Sequence, residues 1–229
     1  MQQCNTDAVD LSAALRTTGS VRQFTAEPVA DSLLFELLDD ARFAPSGGNR
    51  QAWRVVVVKD AAIRRTLAEL MQPVWNEYVA MSATGRTPFA AVDPGTYEVI
   101  SRQPGTAPNA LLDHITEVPV VLVVAADLAQ VAMMDKDLER PAITGGGSIY
   151  PFCWNLLLAA RSRGLGGVMT TFLARAEPQA APILGLPNEY VIAAMLFIGH
   201  PVHQPTRLRR FPVDAFTTID RFDGEVFSG

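Results

Sequence analysis

The sequence predicts one α+β domain in which a single sheet is flanked by helices. Four apolar runs rich in β-branched residues, near 53–59, 118–126, 167–172 and 190–199, are typical of buried strands. About six segments with apolar residues at helical spacing lie around them. The 229 residues, 48% of them hydrophobic, suffice for one packed core and are few for two. Strands interleaved with helices favour a layered α+β domain over 1–229.

Composition narrows the classes of partner. The net charge is −5 and no basic face stands out, so we expect no nucleic-acid partner. The longest apolar runs are too short to span a bilayer, and the polar N-terminus lacks the features of a signal peptide. Cys4 and Cys153 form no CxxC or metal-ligand pattern, and Cys153 lies in an apolar run typical of a buried small hydrophobe. We expect a cytoplasmic protein without a bound metal or membrane contact.

The N-terminal quarter predicts two helices. Apolar spacing indicates a short helix over 7–16, which Thr17-Thr18-Gly19-Ser20 ends. Asp31 is the expected N-cap of the second helix, and Pro45 is expected to end it. Arg22, between the helices, is either a solvated surface charge or a cation that meets an anionic ligand.

The stretch from Ala41 to Trp53 joins the second helix to the first strand. It contains Pro45, Ser46, two glycines, Asn49 and Gln51. Glycines let a ligand approach the backbone closely, and the polar side chains supply donors and acceptors. An ordinary helix-to-strand loop is the alternative. Trp53 is expected in the core, and the valines after it predict a strand buried on both faces.

The middle of the chain predicts a helix over 61–83 and then a long loop over 84–108 with four prolines and three glycines. Loops of this length in compact domains are usually functional or mobile. Phe89, Tyr97 and Arg102 are candidates to reach a substrate, and surface decoration is the alternative.

The second half alternates helices and strands. A short helix over 110–117 precedes the second strand, and 127–140 is polar and partly exposed, with a helix as one option. Gly145–Gly147 and Ser148 lead into a buried helix over 149–162, whose C′ residue is expected to be Gly164. No GxGxxG or P-loop lysine accompanies these glycines, so they predict no nucleotide motif.

The last part of the chain predicts a helix over 177–184, the fourth strand and then a basic cluster. Arg207, Arg209 and Arg210 fall within four positions of an acidic chain. They are either a solvated patch or a phosphate clamp, because guanidinium binds phosphate bidentately. The tail over 212–229 carries apolar residues and suggests packing on a partner.

Three motifs resemble those of the nitroreductase family of FMN enzymes. A-P-S-G-G-N-x-Q-x-W, beginning at Ala44, resembles the family's flavin-contacting loop and is the most specific match. Ser20, Arg22 and Phe24 match an R-R-S-x-R-x-F segment, with Thr18 and Gly19 in place of two basic residues. G-L-G-x-x-x-T-T, ending at Thr170 and Thr171, resembles the segment beside the flavin ring. The resemblance runs from about Leu11 to Arg221 in family order.

The resemblance implies a nitroreductase fold with a mostly antiparallel sheet, in an intertwined homodimer with two FMN molecules at the subunit boundary. It also implies that the 84–108 loop shapes the substrate pocket and that the 212–229 tail packs on the partner subunit. The implied cofactor contacts are Gly19, Ser20, Arg22, Pro45, Ser46, Gly47, Asn49, Ser148, Thr170, Thr171, Arg209 and Arg210.

The resemblance implies an FMN-dependent oxidoreductase in which NADH or NADPH reduces the flavin and a nitroaromatic or quinone then takes the electrons, by a ping-pong mechanism. No GxSxG, HExxH or paired-carboxylate signature is present, in keeping with chemistry carried by a cofactor. Three alternatives share the fold: a dehalogenase, a flavin-destroying enzyme and an azoline oxidase. A flavin-sequestering protein is a fourth, because Thr18 and Gly19 replace the usual basic pair. The physiological acceptor, the choice between NADH and NADPH, and a one- or two-electron course stay open.

Overall fold

The computed structural model describes residues 10–92 and 105–229, so Cys4, Tyr97 and Arg102 lie outside the described residues. Four strands and seven α-helices make up the regular structure of the described part. The strands are β1 (Trp53–Val57), β2 (Val120–Asp127), β3 (Gly166–Thr170) and β4 (Tyr190–Gly199). The helices are α1 (Leu11–Thr17), α2 (Asp31–Ala41), α3 (Ala61–Ser82), α4 (Ala110–Asp113), α5 (Tyr150–Ser162), α6 (Phe172–Arg175) and α7 (Glu177–Leu184).

The four strands form one antiparallel sheet in the order β1-β2-β4-β3. Strand β2 lies between β1 and β4, and all eight of its residues are buried. Its β-branched side chains suit this position, because a central strand packs neighbours on both faces. The predicted α+β fold and its mostly antiparallel sheet are confirmed.

The sheet is the middle of three layers. Side chains alternate along β2, so Leu122 and Val124 pack in one hydrophobic cluster with α2 and α5. Val121 and Val123 point to the other face, where α3, α4 and α7 complete a second cluster. Each face of the sheet therefore has its own core.

Two interpretations of single residues in the core are confirmed. The Trp53 ring is buried and stacks on Phe152 with ring centroids 4.9 Å apart. Cys153 is fully buried, and burial raises the pKa of its thiol to about 12. A thiol of this kind packs as a small hydrophobe and is a poor nucleophile at neutral pH.

The helix boundaries confirm one predicted cap and correct another. Gly164 adopts φ +76° just beyond the end of α5, as predicted for its C′ residue. The N-cap of α2 is Ala30, so Asp31 lies in the first turn instead of capping it. There its carboxylate pairs with Lys59 and lies near the positive end of the helix dipole.

Strand β1 is an edge strand, and the prediction that it is buried on both faces was wrong. Within the described residues it pairs with β2 alone, and Arg54 and Val57 are exposed. A run of valines indicates a strand but carries no information about how many neighbours the strand will have.

The segment between β2 and α5 contains no α-helix, so the helical option for 127–140 was wrong. It is organised instead around the buried carboxylate of Asp135, which accepts from the Thr144 hydroxyl at 2.6 Å and from the Ile143 backbone N–H at 2.9 Å. Arg140 adds an ion pair to the same carboxylate at 2.7 Å. A short 3₁₀ helix over Thr144–Ser148 then leads into α5.

A second buried charge joins β1 to the chain before β2. The guanidinium of Arg64, on α3, donates to the backbone carbonyls of Val58 at 2.7 Å and Val118 at 2.6 Å. Burial lowers the pKa of this guanidinium. Because both carbonyls are buried with it, the side chain replaces backbone pairing where the strand has ended.

The C-terminal tail over 212–229 is mostly exposed and has little regular structure. It contains a 3₁₀ turn over Val213–Ala215 and a bridge between Thr218 and Val226. The side chains of Phe211, Phe216 and Phe222 are exposed. Packing of the tail on a partner remains a prediction. No helix of the described ranges is long and apolar enough to cross a membrane.

Candidate functional site

The segment after α1 runs along the free edge of β3. The Val21 backbone N–H donates to the Gly167 carbonyl at 2.9 Å, and Ser20 forms a parallel bridge to Gly167. Further on, the Thr25 N–H donates to the His200 carbonyl at 2.9 Å. These bonds fix Arg22 beside the sheet, although α1 and β3 are far apart in sequence.

Gly19 brings the basic C-terminal cluster to the same place. A Cβ added at Gly19 would lie 2.8 Å from the Pro205 Cβ and 2.9 Å from the Leu208 Cδ2. Only glycine fits this approach, which sets the segment of Arg209 and Arg210 next to the 18–20 turn. Both arginines are exposed, and Ser20 is exposed beside them.

Thr18 faces away from this basic cluster. Its hydroxyl donates to the Ala14 carbonyl at 2.7 Å, and its side chain is buried against the end of α1. A position buried in this way does not present a cation to a ligand. Another guanidinium, that of Arg161, lies at this corner, because its Nη2 donates to the Thr17 hydroxyl at 3.4 Å.

A cavity of about 570 Å³, here called the β3 cavity, opens beside the end of β3. Arg22, Gln23 and the end of β3 belong to its lining. Its lining is Arg22, Gln23, Trp75, Tyr78, Pro108, Asn109, Ala110, Leu111, Leu112, Val168, Met169, Thr170, Thr171 and Phe172. The cavity thus combines one cation, a strand and a largely apolar wall.

Three aromatic rings in mutual contact form that wall. The Trp75 and Tyr78 rings lie 5.7 Å apart and nearly parallel, and Phe172 meets Tyr78 edge to face at 5.5 Å. The Trp75 indole N–H donates to the Pro108 carbonyl at 3.1 Å, which holds the ring in place. A wall of this kind suits a flat aromatic ligand.

Thr170 supplies the unpaired polar atom of the β3 cavity. It ends β3, and its hydroxyl oxygen is buried without a hydrogen-bond partner among the described residues. Buried polar groups are nearly always hydrogen-bonded, so this hydroxyl is a candidate to bond a water or a ligand in the β3 cavity.

The glycine loop lies on the other face of the sheet. The Gly47 N–H donates to the Ser148 hydroxyl at 3.1 Å, and the loop's flanking residues Ala44 and Ala52 pack in the α2–α5 core. The β3 cavity, in contrast, is built on the α3–α4 face. The two parts of the sequence-predicted site are therefore separated within one chain.

Three of the four residues from Gly48 to Gln51 have left-handed backbone conformations. The φ angles are +61° at Gly48, +53° at Asn49 and +50° at Gln51. Ser46 stabilises the turn, because its hydroxyl accepts from the Gln51 N–H at 3.0 Å. Non-glycine residues with positive φ cluster at ligand sites, where the backbone is held for binding.

The structure thus sorts the predicted site residues into two groups. Arg22, Thr170 and Thr171 line the β3 cavity, Gly19 and Ser20 belong to the segment that leads to Arg22, and Arg209 and Arg210 follow Leu208, which packs against Gly19. The group at the α5 face comprises Pro45, Ser46, Gly47, Asn49 and Ser148.

Sequence reasoning missed part of the cavity lining. Gln23, Trp75, Tyr78 and Asn109 line the β3 cavity and were not predicted to be site residues. Trp75 and Tyr78 share a helix face by their three-residue spacing, a signal that was available in the sequence. Asn109 appears only as the N-cap of α4, accepting from the Leu111 N–H at 3.1 Å.

The described residues provide no separate metal site, since no three of their His, Cys, Asp or Glu side chains are grouped to hold an ion. Of the predicted substrate contacts, Phe89 is half-buried and lies 4.9 Å from the Arg175 guanidinium. Tyr97 and Arg102 lie outside the described residues.

Sequence comparison matches most of the chain to known proteins. The profile of the nitroreductase family matches residues 15–200. An NADH dehydrogenase of Thermus thermophilus is 26% identical, over 90% of this chain and 94% of its own length. A 5,6-dimethylbenzimidazole synthase of Rhodospirillum rubrum is 30% identical, over 86% of this chain and 87% of its own.

Comparison of coordinates gives the same fold. The structure of the NADPH:FMN oxidoreductase of Vibrio harveyi, complexed with NAD+, aligns with a TM-score of 0.65 at 21% identity. The alignment covers 92% of this chain and 76% of the V. harveyi chain. The nitroreductase fold predicted from the sequence motifs is confirmed.

Proposed function

This chain belongs to the nitroreductase family, and we propose that it is an FMN-dependent oxidoreductase that transfers electrons from NADH or NADPH to nitroaromatic or quinone acceptors. The observation that carries the proposal is the β3 cavity, which Arg22 and Thr170 both line and in which the buried Thr170 hydroxyl has no hydrogen-bond partner among the described residues. The names of the T. thermophilus and V. harveyi proteins support the choice of nicotinamide donor and FMN.

The residues at the β3 cavity fit FMN. A flat ring system would lie along the end of β3, with Thr170 and Thr171 at its polar edge and Arg22 nearby. The phosphate of FMN carries a charge of about −2 at neutral pH, and Arg209 and Arg210, which follow the Leu208 that packs on Gly19, are the cations that would bind it. Bound FMN would supply the hydride or electron transfer that the side chains of the cavity do not provide.

The glycine loop would reach the cofactor from a second copy of the chain. Asn49 and Ser46 lie on the α5 face, away from the β3 cavity of their own subunit. A homodimer with two sites at its boundary would bring the loop of one subunit to the cavity of the other. The exposed phenylalanines of the tail support a subunit interface, since apolar side chains of this size are usually covered.

The proposed reaction balances without a catalytic side chain. NAD(P)H gives up two electrons and one proton, and a second proton comes from solvent. The nitro group takes both electrons and both protons, becomes a nitroso group and releases water. Because donor and acceptor would occupy the same open cavity in turn, we expect ping-pong kinetics. The protein contributes binding, orientation and the apolar wall of Trp75 and Phe172.

Flavin-consuming chemistry is the second candidate. The dimethylbenzimidazole synthase of R. rubrum is 30% identical to this chain over 204 residues. That similarity covers 86% of this chain, so similarity over most of the chain does not discriminate the two functions. Discrimination depends on what enters the cavity after the flavin is reduced.

Three measurements on the purified protein test the proposal. First, a flavin absorbance spectrum is expected, either as purified or after incubation with FMN and gel filtration; protein that stays colourless would refute FMN binding. Second, nitrobenzene should accelerate NAD(P)H oxidation under anaerobic conditions. If neither nitrobenzene nor a quinone changes the rate of NAD(P)H oxidation, the protein binds flavin but lacks the proposed reductase activity. Third, loss of flavin absorbance with dioxygen and excess NAD(P)H would favour the synthase-like alternative.

A further inference from the structure

A second cavity of about 540 Å³ adjoins the β3 cavity. We name it the Arg175 cavity, after the residue at the end of α6. Its lining is Val74, Tyr78, Pro88, Phe89, Thr171, Phe172, Ala174 and Arg175. Tyr78, Thr171 and Phe172 line both cavities, so one ligand can contact both.

The Arg175 cavity is apolar except at one end. Among the described residues that line it, Arg175 alone carries a formal charge, and three of the others are aromatic. The shared wall of Tyr78 and Phe172 continues from the β3 cavity. The surface therefore offers an aromatic ligand a ring-binding wall and, beyond it, a cation.

Two contacts hold the Arg175 guanidinium at this end. It lies over the Phe89 ring at 4.9 Å from the centroid, and its Nη2 lies 3.1 Å from the Glu77 Oε2. The closest contact of this ion pair joins Nη2 to Oε2, and because a guanidinium carries five N–H donors, donors remain for a second anion. The side chain is half exposed and remains accessible from the cavity. Glu77 and Phe89 thus orient the planar guanidinium, and its remaining N–H groups can bind another anion.

We propose that the Arg175 cavity selects aromatic acceptors that carry a carboxylate, with the ring against Tyr78 and Phe172 and the carboxylate on Arg175. The proposal rests on the function proposed above and adds a substrate class to it. A guanidinium binds a carboxylate through two parallel N–H···O bonds, which a neutral amide of the same shape cannot match. Arg175 is accordingly a specificity-determining residue for the acceptor.

A matched pair of acceptors isolates the charge. 4-Nitrobenzoate and 4-nitrobenzamide share the ring, the nitro group and nearly the same size. In both, the nitro group takes two electrons and two protons from NAD(P)H and solvent and becomes a nitroso group with loss of water, while the para substituent is unchanged. We expect the wild-type protein to prefer the carboxylate by about tenfold in kcat/KM, chiefly through KM.

The variant Arg175→Met should bring the ratio of the two kcat/KM values close to one, and Arg175→Lys should keep part of the preference because it retains charge without the fork. Arg163→Met is the matched control. It makes the same change in net charge, and Arg163 lies on the α2 face, where it pairs with Asp40. The control should keep the wild-type ratio. A ratio near one in the wild-type protein, or an unchanged ratio in Arg175→Met, would refute the proposal.

Binding separates this proposal from the reaction itself. Calorimetric titration of the FMN-loaded protein with each acceptor, without NAD(P)H, should give about tenfold tighter binding of 4-nitrobenzoate. Arg175→Met should reduce that preference. Salt at about 0.5 M should also reduce it, because salt screens a charge-assisted contact. If neither acceptor is reduced, the proposed function is refuted. The binding preference is still tested by the titration, which does not depend on turnover. Equal binding of both acceptors would refute the assignment of Arg175.

Discussion

The hydroxyl of Ser148 accepts a hydrogen bond from the backbone N–H of Gly47 across a 3.1 Å contact, although 101 positions separate the two residues. Ser148 ends the 3₁₀ turn that begins α5, and it is buried. Among the described residues, this is the hydrogen bond of longest sequence separation that anchors the left-handed turn at 48–51. In the proposed dimer this bond would set where the loop meets the cofactor.

Ser148→Ala is expected to loosen the glycine loop with little effect on the core. Loss of one hydrogen bond should lower the free energy of unfolding by about 0.5–1 kcal/mol, measured by urea denaturation. FMN should bind up to about tenfold more weakly in a fluorescence titration. Ser162→Ala serves as control, because its hydroxyl bonds the Ala159 carbonyl within α5, at 2.9 Å. Equal FMN affinity in the two variants would contradict this role of Ser148.

Gly19→Ala is expected to displace the basic segment from the β3 cavity. The added methyl group would meet Pro205 at 2.8 Å and Leu208 at 2.9 Å, so overpacking should cost about 1–3 kcal/mol of unfolding free energy. FMN affinity should fall about tenfold as Arg209 and Arg210 move away. Gly105→Ala is the control, since a Cβ there has no atom of the described residues within 4 Å. Unchanged FMN affinity in Gly19→Ala would show that the packing of Gly19 against Pro205 and Leu208 is not needed for FMN binding.

Removing both arginines of the proposed phosphate clamp should weaken FMN retention. We expect Arg209→Ala with Arg210→Ala to raise the dissociation constant about tenfold to a hundredfold, because charge-assisted bonds to phosphate are lost. The measurement is flavin content after gel filtration and equilibrium titration. Arg42→Ala with Arg65→Ala removes the same charge from exposed positions elsewhere. If the first double variant retains flavin as the second does, the clamp is wrongly placed.

Arg64→Met is expected to destabilise the fold without touching the site. The Val58 and Val118 carbonyls would lose their donor in a buried place, which should cost about 2–4 kcal/mol. The neighbouring Arg65 is exposed, so Arg65→Met should change the unfolding free energy by less than about 0.5 kcal/mol. Similar denaturation midpoints for the two variants would show that the carbonyls find other partners.

Asp135 should make stability depend on acidic pH. The Thr144 hydroxyl, followed by the Ile143 N–H and Arg140, holds the pKa of this carboxyl well below its ordinary value. A depressed folded-state pKa means that the stabilisation is complete above the unfolded pKa of about 3.9 and is lost as the pH falls from there towards the folded value. Asp135→Asn should therefore be less stable than wild type at pH 7, with a difference that shrinks below pH 4 in thermal scans.

Asp137→Asn is the matched control for Asp135, because Asp137 lies two residues away and is exposed. Its thermal midpoint should follow the wild-type value across the same pH range. A constant difference between Asp135→Asn and wild type from pH 7 to pH 3 would contradict the assignment of the pH dependence to Asp135.

The sequence predicted the fold well where local pattern decides the structure. Runs of β-branched residues, as in β2 and β4, indicate strands in most tertiary contexts. A glycine after an apolar helical pattern, as after α5, likewise indicates the end of a helix. Exposure of β1 was not predictable from its valines, because burial depends on which strands are its neighbours. The buried Asp135 was also missed, since its partners follow it by up to nine residues in an irregular loop.

The candidate site was predictable as motifs but not as a shape. Three separated motifs indicated flavin contacts, yet their sequence order does not reveal that Gly47 and Thr170 lie on opposite faces of one sheet. The aromatic wall of Trp75 and Tyr78 depends on the packing of α3 against Phe172, a contact between segments almost a hundred residues apart.

The separation of Gly47 and Thr170 has a genetic consequence if two subunits complete each site. A chain disabled in its loop and a chain disabled in its arginines would each be inactive as a homodimer. Co-expressed, they would pair into hybrids in which one site receives both defects and the other receives none. Random pairing would then restore about a quarter of the sites, so two null alleles of this protein would complement each other.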